Sequence, residues 1–282
     1  MTGRVHDAAD VFEKNGAGTM IEVEIVELND EKAKLILKST NNAFVNSLRR
    51  IMLSEVPTIA IDEVNIYDNT SVLFDEQIAL RLALIPLKTD MESYNLPDEC
   101  SCNREGCTLC QVSLTLSAEG PKIVYSEDLI STDPKILPAD PKIPIIELKD
   151  GQKLFLEAIA RPGLGKNHAK WQAGVACGYK NMPMIAITGC DQCNACITEC
   201  SQKILKPQGN TIVVIDPFKC TLCRLCEDAC DVNAIKVEED EKTAIFNFET
   251  DGSYTAQELL LQATNILQRK ANALKDTLQT LQ

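Results

Sequence analysis

Eight of the thirteen cysteines in this 282-residue sequence lie in two runs that share one spacing. The runs are Cys190-x2-Cys193-x2-Cys196-x3-Cys200 and Cys220-x2-Cys223-x2-Cys226-x3-Cys230. In such a run a tight turn points three sulfur atoms at one site, and the following turn directs the fourth elsewhere. Thiolates are the soft ligands that iron–sulfur clusters select. The spacing therefore predicts iron–sulfur chemistry, with zinc binding or a disulfide framework as the alternatives.

The two runs resemble those of bacterial ferredoxins, in which the fourth cysteine of each run binds the cluster of the other run. This resemblance implies two 4Fe–4S clusters. The implied ligands are Cys190, Cys193, Cys196 and Cys230 for the first cluster, and Cys220, Cys223, Cys226 and Cys200 for the second. Ferredoxins usually have proline after the fourth cysteine. This chain has Ser201 and Asp231 there instead, which is a departure from the pattern.

A third group of cysteines, Cys100-x-Cys102-x4-Cys107-x2-Cys110, lies in a polar segment that we expect to be a loop. Four thiolates this close in sequence are compatible with a zinc site. The Cys-x-Cys pair is irregular for a zinc knuckle, so unmetallated or disulfide-linked thiols remain the alternative. The remaining cysteine, Cys177, is expected to be a buried structural thiol.

The composition excludes some classes of function. The formal net charge of −13 makes the chain a poor candidate for direct contact with nucleic acid, because such binding depends on Lys and Arg. No run approaches the roughly 18 apolar residues of a membrane span, and the N-terminus lacks a signal-peptide core. Many cysteines without an export signal favour metal ligands over disulfides. We therefore expect a cytoplasmic protein.

The first ordered elements that the sequence predicts are a hairpin and a helix. Residues 1–19 are expected to form a flexible tail. Apolar and acidic residues alternate from Met20, which indicates a half-buried strand, and a second strand is expected over 33–38. Apolar residues then recur at helical spacing and predict an amphipathic helix that Thr40 or Asn41 caps and Pro57 ends. These apolar residues are Phe44, Leu48, Ile51, Met52 and Val56.

The following segment is expected to contain strands at 63–67, 111–116 and 153–159, and a short helix capped by Asp75. Residues 122–144, rich in Pro and Asp, are expected to be a connector. A strand pair over 173–187 leads to the cysteine runs. Further strands are expected at 211–215, 234–237 and 244–248, with the acidic residues 238–241 closing the cysteine-rich segment.

Three motifs outside the cysteine runs resemble the alpha-like assembly subunits of cellular RNA polymerases, in the archaeal form that carries clusters. The first is Asn46-x-Leu48-Arg49-Arg50-Ile51 in the predicted helix. The second joins Asn69-Thr70-Ser71 to Arg81-Leu82-Ala83-Leu84-Ile85-Pro86. The third is Gly163-x-Gly165-x2-His168-Ala169-Lys170-Trp171. The resemblance covers nearly the whole chain, and eukaryotic members of the family have a zinc loop near the position of Cys100 to Cys110.

The third motif is also open to a simpler reading as a glycine-rich phosphate loop. Its third glycine is missing and no amphipathic helix follows, so we do not predict a nucleotide site. In the polymerase family this region helps to form the surface that meets the large catalytic subunits. The resemblance therefore implies contact roles for Lys166, His168, Lys170 and Trp171.

The C-terminal segment predicts one long helix of roughly 27 residues, opened by a Thr255-x-x-Glu258 capping box. Its leucines recur every seven residues, at Leu260, Leu267, Leu274 and Leu281, with Leu278 beside them. Little of the chain remains to cover such a seam, so we expect a partner helix rather than packing on this chain's own sheet. The predicted interface residues are Phe44, Leu48, Ile51, Met52, Leu260, Leu267, Leu274, Leu278, Lys170 and Trp171.

These observations predict an α+β protein with a discontinuous alpha-like dimerisation domain that carries two insertions. The dimerisation domain is expected at 20–57 and 242–282, with a mixed α/β domain inserted at 58–170. Connecting strands at 171–184 lead to a ferredoxin-like domain at 185–241 with two 4Fe–4S clusters.

The resemblance implies a non-catalytic scaffold subunit of DNA-dependent RNA polymerase. It would form a heterodimer with a small alpha-like subunit (subunit L in archaea) and then assemble the large catalytic subunits. The clusters would support the fold of the insert. The alternative is an electron-transfer iron–sulfur subunit of an anaerobic oxidoreductase, because paired cluster motifs usually serve electron transfer.

Overall fold

The computed structural model describes residues 20–280. The predicted tail at 1–19 and the last leucine of the heptad repeat, Leu281, lie outside the described residues. The described chain forms two compact units, each made of several segments. One contains residues 20–26, 35–45 and 179–246, and the other contains residues 27–34, 46–178 and 247–280.

A four-stranded sheet has the strand order β1-β2-β12-β9. Its strands are β1 (Glu22–Leu28), β2 (Lys32–Lys38), β9 (Gly174–Ile187) and β12 (Ile235–Thr250). The turn between β1 and β2 is stabilised by Asn29, whose side-chain oxygen accepts hydrogen bonds from the backbone N–H groups of Glu31 and Lys32. The predicted hairpin is therefore confirmed.

The edge strand β1 departs from the expectation of a half-buried strand, because every residue in it is exposed. Its apolar side chains Val23 and Ile25 keep 55% and 52% of their surface in contact with solvent. The alternation of apolar and acidic residues was read correctly as a strand. Among the described residues, no element buries its apolar side chains.

Helix α1 (Asn42–Ser54) confirms the predicted amphipathic helix. Asn41 rather than Thr40 is the capping residue, because its side-chain oxygen accepts a hydrogen bond of 2.9 Å from the backbone N–H of Phe44. Leu48, Ile51 and Met52 are at most 4% exposed. Other residues of this chain already cover these three side chains, so they pack in its core and leave no surface for a partner. The predicted interface loses these three residues.

The segment between α1 and β9 forms a second four-stranded sheet in the order β3-β8-β4-β6, together with the pair β5-β7. The strands are β3 (Pro57–Asn69), β4 (Val112–Glu119), β5 (Lys122–Tyr125), β6 (Ile130–Ser131), β7 (Pro144–Leu148) and β8 (Lys153–Leu164). Helix α2 (Asp75–Ala83) buries Ile78 and Leu82 in the aliphatic core of this segment.

Two details of this segment differ from the sequence prediction. Phe74, not Asp75, occupies the N-cap of α2, and no side chain caps it. The Asp75 carboxylate instead accepts a 2.7 Å hydrogen bond from the side-chain amide of Asn69. Residues 122–144 are also not a plain connector, since they contain β5, β6 and a short 3₁₀ turn over Ser126–Asp128.

The cysteine runs frame a small unit of two short helices and a strand pair. These elements are α3 (Ala195–Glu199), β10 (Leu205–Gln208), β11 (Thr211–Val214) and α4 (Leu225–Asp228). The acidic residues 238–241, which were expected to close the cysteine-rich segment, do not mark a break in the chain's structure. They lie within β12, which runs without interruption from Ile235 to Thr250, and β9 is likewise a single strand rather than a pair.

Helix α5 (Ala256–Thr280) confirms the long C-terminal helix and its capping box. The backbone N–H and hydroxyl of Thr255 both donate to the Glu258 carboxylate, and the backbone N–H of Glu258 donates to the Thr255 hydroxyl. The buried face consists of Ala256, Leu259, Ala263 and Ile266, beside the predicted heptad. Leu260 and Leu267 are partly buried, whereas Leu274 and Leu278 are 62% and 56% exposed.

Candidate metal centres

Four cysteine sulfur atoms converge in the turns that connect a 3₁₀ helix (Pro97–Glu99) to β4. The ligand atoms of Cys100, Cys102, Cys107 and Cys110 all lie within 4.8 Å of one another. The chain can fold this tightly because Asn103, Arg104 and Gly106 adopt left-handed backbone conformations. Gly106 has a backbone φ of 90°, a left-handed conformation that favours glycine over residues with a side chain.

The sulfur separations fit a single tetrahedral ion. The Cys100–Cys107 and Cys102–Cys110 sulfur pairs are each 3.5 Å apart, and the Cys107–Cys110 pair is 3.8 Å apart. For zinc–sulfur bonds of about 2.3 Å, the corners of a regular tetrahedron lie about 3.8 Å apart. A disulfide would need about 2.05 Å between sulfur atoms. A four-iron cube would not fit between these four atoms.

The electrostatics of this group also favour shared binding of a cation. Although burial opposes the shift, hydrogen bonds from the Cys110 and Cys100 thiols lower the pKa of Cys102 to about 7. Burial raises the pKa of Cys110 to about 12. The backbone N–H of Cys107 donates to the Cys110 sulfur at 3.3 Å. A bound metal ion would favour deprotonation of all four thiols, because the thiolate is the form that binds metal.

The two ferredoxin-like runs repeat in backbone conformation as well as in sequence. Gln192 and Asn194 in the first run adopt left-handed conformations with φ of 63° and 60°. Thirty positions later, Leu222 and Arg224 have φ of 59° and 61°. Each left-handed residue precedes or follows a cysteine, so both runs wrap their sulfur atoms in the same way.

The thiols of the first predicted cluster influence one another. Burial raises the pKa of Cys196, and the nearby thiolates of Cys190, Cys230 and Cys193 raise it further. The backbone N–H of Gln192 donates to the Cys190 sulfur at 3.4 Å, and that of Ala234 donates to the Cys230 sulfur at 3.2 Å. Cys230, from the second run, is therefore close enough to Cys196 of the first run to influence its pKa.

The thiols of the second predicted cluster show the reciprocal arrangement. Burial raises the pKa of Cys226 to about 11, and the thiolates of Cys220, Cys200 and Cys223 add to the shift. These four cysteines line one small, partly enclosed pocket. Its remaining walls include the apolar side chains of Ile185, Leu205 and Val237. The residues present fit a thiolate-bound cluster in an apolar setting.

One lysine near the second run carries no sequence signal that could have identified it. Lys180, on β9, donates hydrogen bonds of 2.6 Å from its ammonium nitrogen to the backbone carbonyl oxygens of Phe218 and Cys220. A single lysine in a strand matches no motif. Only the fold brings it to the segment that carries the first cysteine of the second run.

In the Gly-x-Gly-x2-His-Ala-Lys-Trp motif, the Lys170 and Trp171 side chains pack against this chain instead of extending into solvent. Trp171 is partly buried against Gly163, and its ring N–H donates to the Arg161 carbonyl oxygen at 3.0 Å. The Lys170 side chain is 9% exposed and forms a 2.6 Å ion pair with Asp62. Of the four residues with implied contact roles, only Lys166 and His168 are exposed.

Cys177 is a partly buried thiol, as expected. Burial raises its pKa to about 11, with Arg49 acting in the opposite direction. Its sulfur would lie within 2.8 Å of a Cβ atom added at Gly174. Between residues 20 and 280, no helix is both long and apolar enough to cross a membrane.

Comparison with known sequences places this fold in a family. The profile of the RNA polymerase Rpb3/Rpb11 dimerisation domain matches residues 34–271. The chain therefore belongs to the Rpb3/Rpb11 dimerisation family of RNA polymerase subunits, which confirms the family that its motifs predicted. The form with two clusters stays a prediction.

Individual relatives point to one kind of subunit within that family. The chain is 58% identical over 254 residues to DNA-directed RNA polymerase subunit Rpo3 of Methanosarcina acetivorans, covering 89% of this chain and 96% of that protein. It is 58% identical over 257 residues to Rpo3 of Methanosarcina mazei, covering 90% and 97%. It is 42% identical over 264 residues to Rpo3 of Archaeoglobus fulgidus, covering 93% and 100%.

Proposed function

We propose that the chain is a non-catalytic assembly subunit of RNA polymerase that pairs with a small Rpb11-like subunit and then holds the large catalytic subunits. The observation that carries the proposal is the match of the dimerisation-domain profile to residues 34–271. This match spans most of the fold, from β2 to the middle of α5. An electron-transfer subunit would need only the cysteine-rich unit, so the extent of the match favours the polymerase.

The exposed stripe on α5 supports the dimerisation role. Leu260 and Leu267 are partly buried, and Leu274 and Leu278 continue the same side of the helix into solvent. A 25-residue helix is about 37 Å long, and its last turns have no covering element among the described residues. An apolar stripe of this kind is stabilised by burial against a partner helix.

The edge strand β1 supports the same role independently. An edge strand offers unpaired backbone groups to a neighbouring chain, and β1 also exposes apolar side chains such as Val23 and Ile25. A solvent-exposed apolar edge is an aggregation hazard unless a partner covers it. The proposed small subunit would provide that cover.

We also propose that the two cysteine runs hold two 4Fe–4S clusters, with the ligand sets that the ferredoxin resemblance implies. The support is the thirty-residue repeat of backbone conformation, the mutual influence of the thiols within each set, and the cavity at the second set. When bound, such clusters can accept and donate single electrons. In this chain the thiolates that bind them also form part of the unit's core, so cluster binding is coupled to folding.

A third metal is proposed for Cys100, Cys102, Cys107 and Cys110. Four thiolates at tetrahedral spacing suit one zinc ion in a closed structural site. Zinc would cross-link the turns that lead into β4. Its proposed role is to stabilise the second sheet rather than to take part in chemistry.

The dimerisation proposal is tested by anaerobic purification of the tagged chain with its co-purifying subunits. The test variant is the double substitution Leu274→Asp and Leu278→Asp. Both positions are exposed, so the helix itself should tolerate the change. We expect the small Rpb11-like subunit, and with it the large subunits, to be lost from the variant.

The matched control is Leu261→Asp, which alters an equally apolar residue that is 45% exposed on another side of α5. It should retain the small subunit. Retention by the double variant would contradict the proposed use of α5. Recovery of flavin-containing or hydrogenase-type subunits with the unaltered chain would favour the electron-transfer alternative instead.

The metal proposals are tested by measuring iron, sulfide and zinc in the anaerobic protein. We expect about eight iron atoms and about one zinc ion per chain. Cys110→Ser should remove the zinc and leave the iron, whereas Cys223→Ser should disturb iron and leave zinc. Zinc in place of iron at the two runs would overturn the cluster assignment.

A further inference from the structure

We propose that Lys180 positions Cys220 and tunes the second cluster with its positive charge. The inference rests on the proposed clusters and adds a residue that lies outside both cysteine runs. Its basis is geometric: the Lys180 ammonium group is within 2.6 Å of two carbonyl oxygens, one of which belongs to Cys220 itself.

The first consequence is mechanical. Phe218 and Cys220 belong to the short turn (Pro217–Lys219 and the residue after it) that leads from β11 into the second run. Hydrogen bonds from a charged donor are stronger than those between neutral groups. By binding both carbonyl oxygens from β9, Lys180 fixes the backbone of the first cysteine in the run. Cys220 is itself buried, at 7% exposure.

The second consequence is electrostatic. A 4Fe–4S cluster with four thiolate ligands carries a net negative charge, which becomes more negative by one when it accepts an electron. A cation hydrogen-bonded to the backbone carbonyl of a proposed ligand cysteine stabilises the more negative state. Because Lys180 is partly buried, water does not fully screen the attraction between its charge and the proposed cluster. Lys180 therefore favours the reduced form of the second cluster.

The chain provides a matched comparison in Lys219, which is adjacent to Cys220 in sequence. Its side chain is 66% exposed and is paired with Asp216 at 3.4 Å. Replacing Lys219 removes the same unit of charge close to the same cysteine. Because that charge is solvated and partnered, its effect on the cluster should be small.

The experiment is a redox titration of the full anaerobic chain, using dithionite as the one-electron donor and electron paramagnetic resonance as the readout. The variants are Lys180→Met, Lys180→Arg and Lys219→Met. In Lys180→Met we expect one of two midpoints to fall, with about a tenfold loss in the reduction equilibrium, equivalent to about 59 mV for one electron. Lys180→Arg keeps the positive charge, so its midpoint potentials should lie close to those of the unaltered chain. The midpoint potentials of Lys219→Met should also be nearly unchanged.

Iron content separates the possible outcomes. If the unaltered chain contains no 4Fe–4S clusters, the proposed cofactor fails. If it contains both, and Lys180→Met also contains both with unchanged midpoints, only the role of Lys180 fails. Loss of half the iron from Lys180→Met but not from Lys219→Met would support the positioning role. Loss of all the iron from Lys180→Met would count against a role specific to the second cluster.

Discussion

Trp171 shows how a residue that the family resemblance assigns to a contact surface also holds its own fold together. It is the sole tryptophan of the chain, and its ring lies against Gly163 on β8. A Cβ atom at position 163 would come within 2.3 Å of the indole ring. The glycine is therefore required by this close approach, and the indole N–H bond to Arg161 fixes the ring's orientation.

Replacing Gly163 with alanine should displace the tryptophan. Because the new methyl group overlaps the indole ring, we expect a loss of about 1–3 kcal/mol in the free energy of unfolding. The single tryptophan makes its fluorescence a direct readout, and its emission should shift to longer wavelength as the ring becomes solvated. Gly178→Ala is the control, since nothing lies within 4 Å of an added Cβ there. An unshifted spectrum in Gly163→Ala would show that the ring is not held by this contact.

The ionisation of Asp90 should make the stability of the fold depend on pH. Hydrogen bonds from Lys135, at 2.6 Å, and from Ser93 and the Glu92 backbone lower its pKa to about 2. A carboxyl group whose pKa is depressed by folding contributes stability above its unfolded pKa of about 3.9. That contribution is lost as the pH falls from about 4 towards 2.

Asp90→Asn should therefore cost about 1 kcal/mol in unfolding free energy at pH 7, with the exposure of Lys135 limiting the effect. The difference in unfolding free energy between Asp90→Asn and the unaltered chain should shrink as the pH approaches 3. Urea unfolding of both proteins at pH 7, 4 and 3 measures this difference. Glu147→Gln is the control, because its pair with Lys149 is exposed on both sides. A deficit that stays constant with pH would contradict this explanation.

At the scale of elements, the capping box of α5 is a local device that the sequence alone could identify. Thr255 and Glu258 satisfy each other's backbone N–H groups, as the Thr-x-x-Glu pattern predicts. Thr255→Ala should destabilise the chain by about 1 kcal/mol, which thermal unfolding can measure. Thr277→Ala is a suitable control, because the Thr277 hydroxyl only bonds back to the Ala273 carbonyl within the helix. Equal destabilisation by both variants would argue against a capping role.

Elements defined by local signals were predicted well, and those defined by distant pairing were not. The α1 cap and the β1–β2 turn depend on residues within four positions, so the sequence contains their causes. The length of β3 depends on its pairing with β8, from Pro57↔Leu164 to Asn69↔Leu154. The acidic residues 238–241 have low strand propensity, yet β12 continues through them because its neighbours in the sheet supply the hydrogen bonds.

The same distinction applies to the candidate sites. Cysteine spacing predicted the four-thiol site, because a metal site needs ligand types at fixed separations. The ligand sets of the two runs, which the ferredoxin resemblance implies, stay a prediction. Which face of α5 is buried within this chain was predicted less well. A heptad of leucines and the buried face of Ala256, Leu259, Ala263 and Ile266 differ by a small rotation of the helix. Packing, rather than periodicity, decides between them.

At the scale of the whole molecule, the two units have cores of different chemistry. Among the described residues, the core that includes Ile59 and Leu156 is aliphatic apart from Tyr94. The core of the cluster unit includes Cys196, Cys220 and Cys230 among its few buried residues. A segment of fewer than about 70 residues rarely has enough apolar surface to fold alone, so metal binding should supply part of its stability.

Oxygen should therefore affect the two cores unequally. If air oxidises and removes the proposed clusters, we expect residues 185–241 to lose protection from hydrogen exchange, because the cysteines proposed as ligands would lose the metal that joins them. The aliphatic core around β4 and β8 should keep its protection. Mass-resolved hydrogen exchange before and after air exposure measures both in one sample, with iron content recorded alongside. Protection at 185–241 that survives complete loss of iron would show that this unit folds without its clusters.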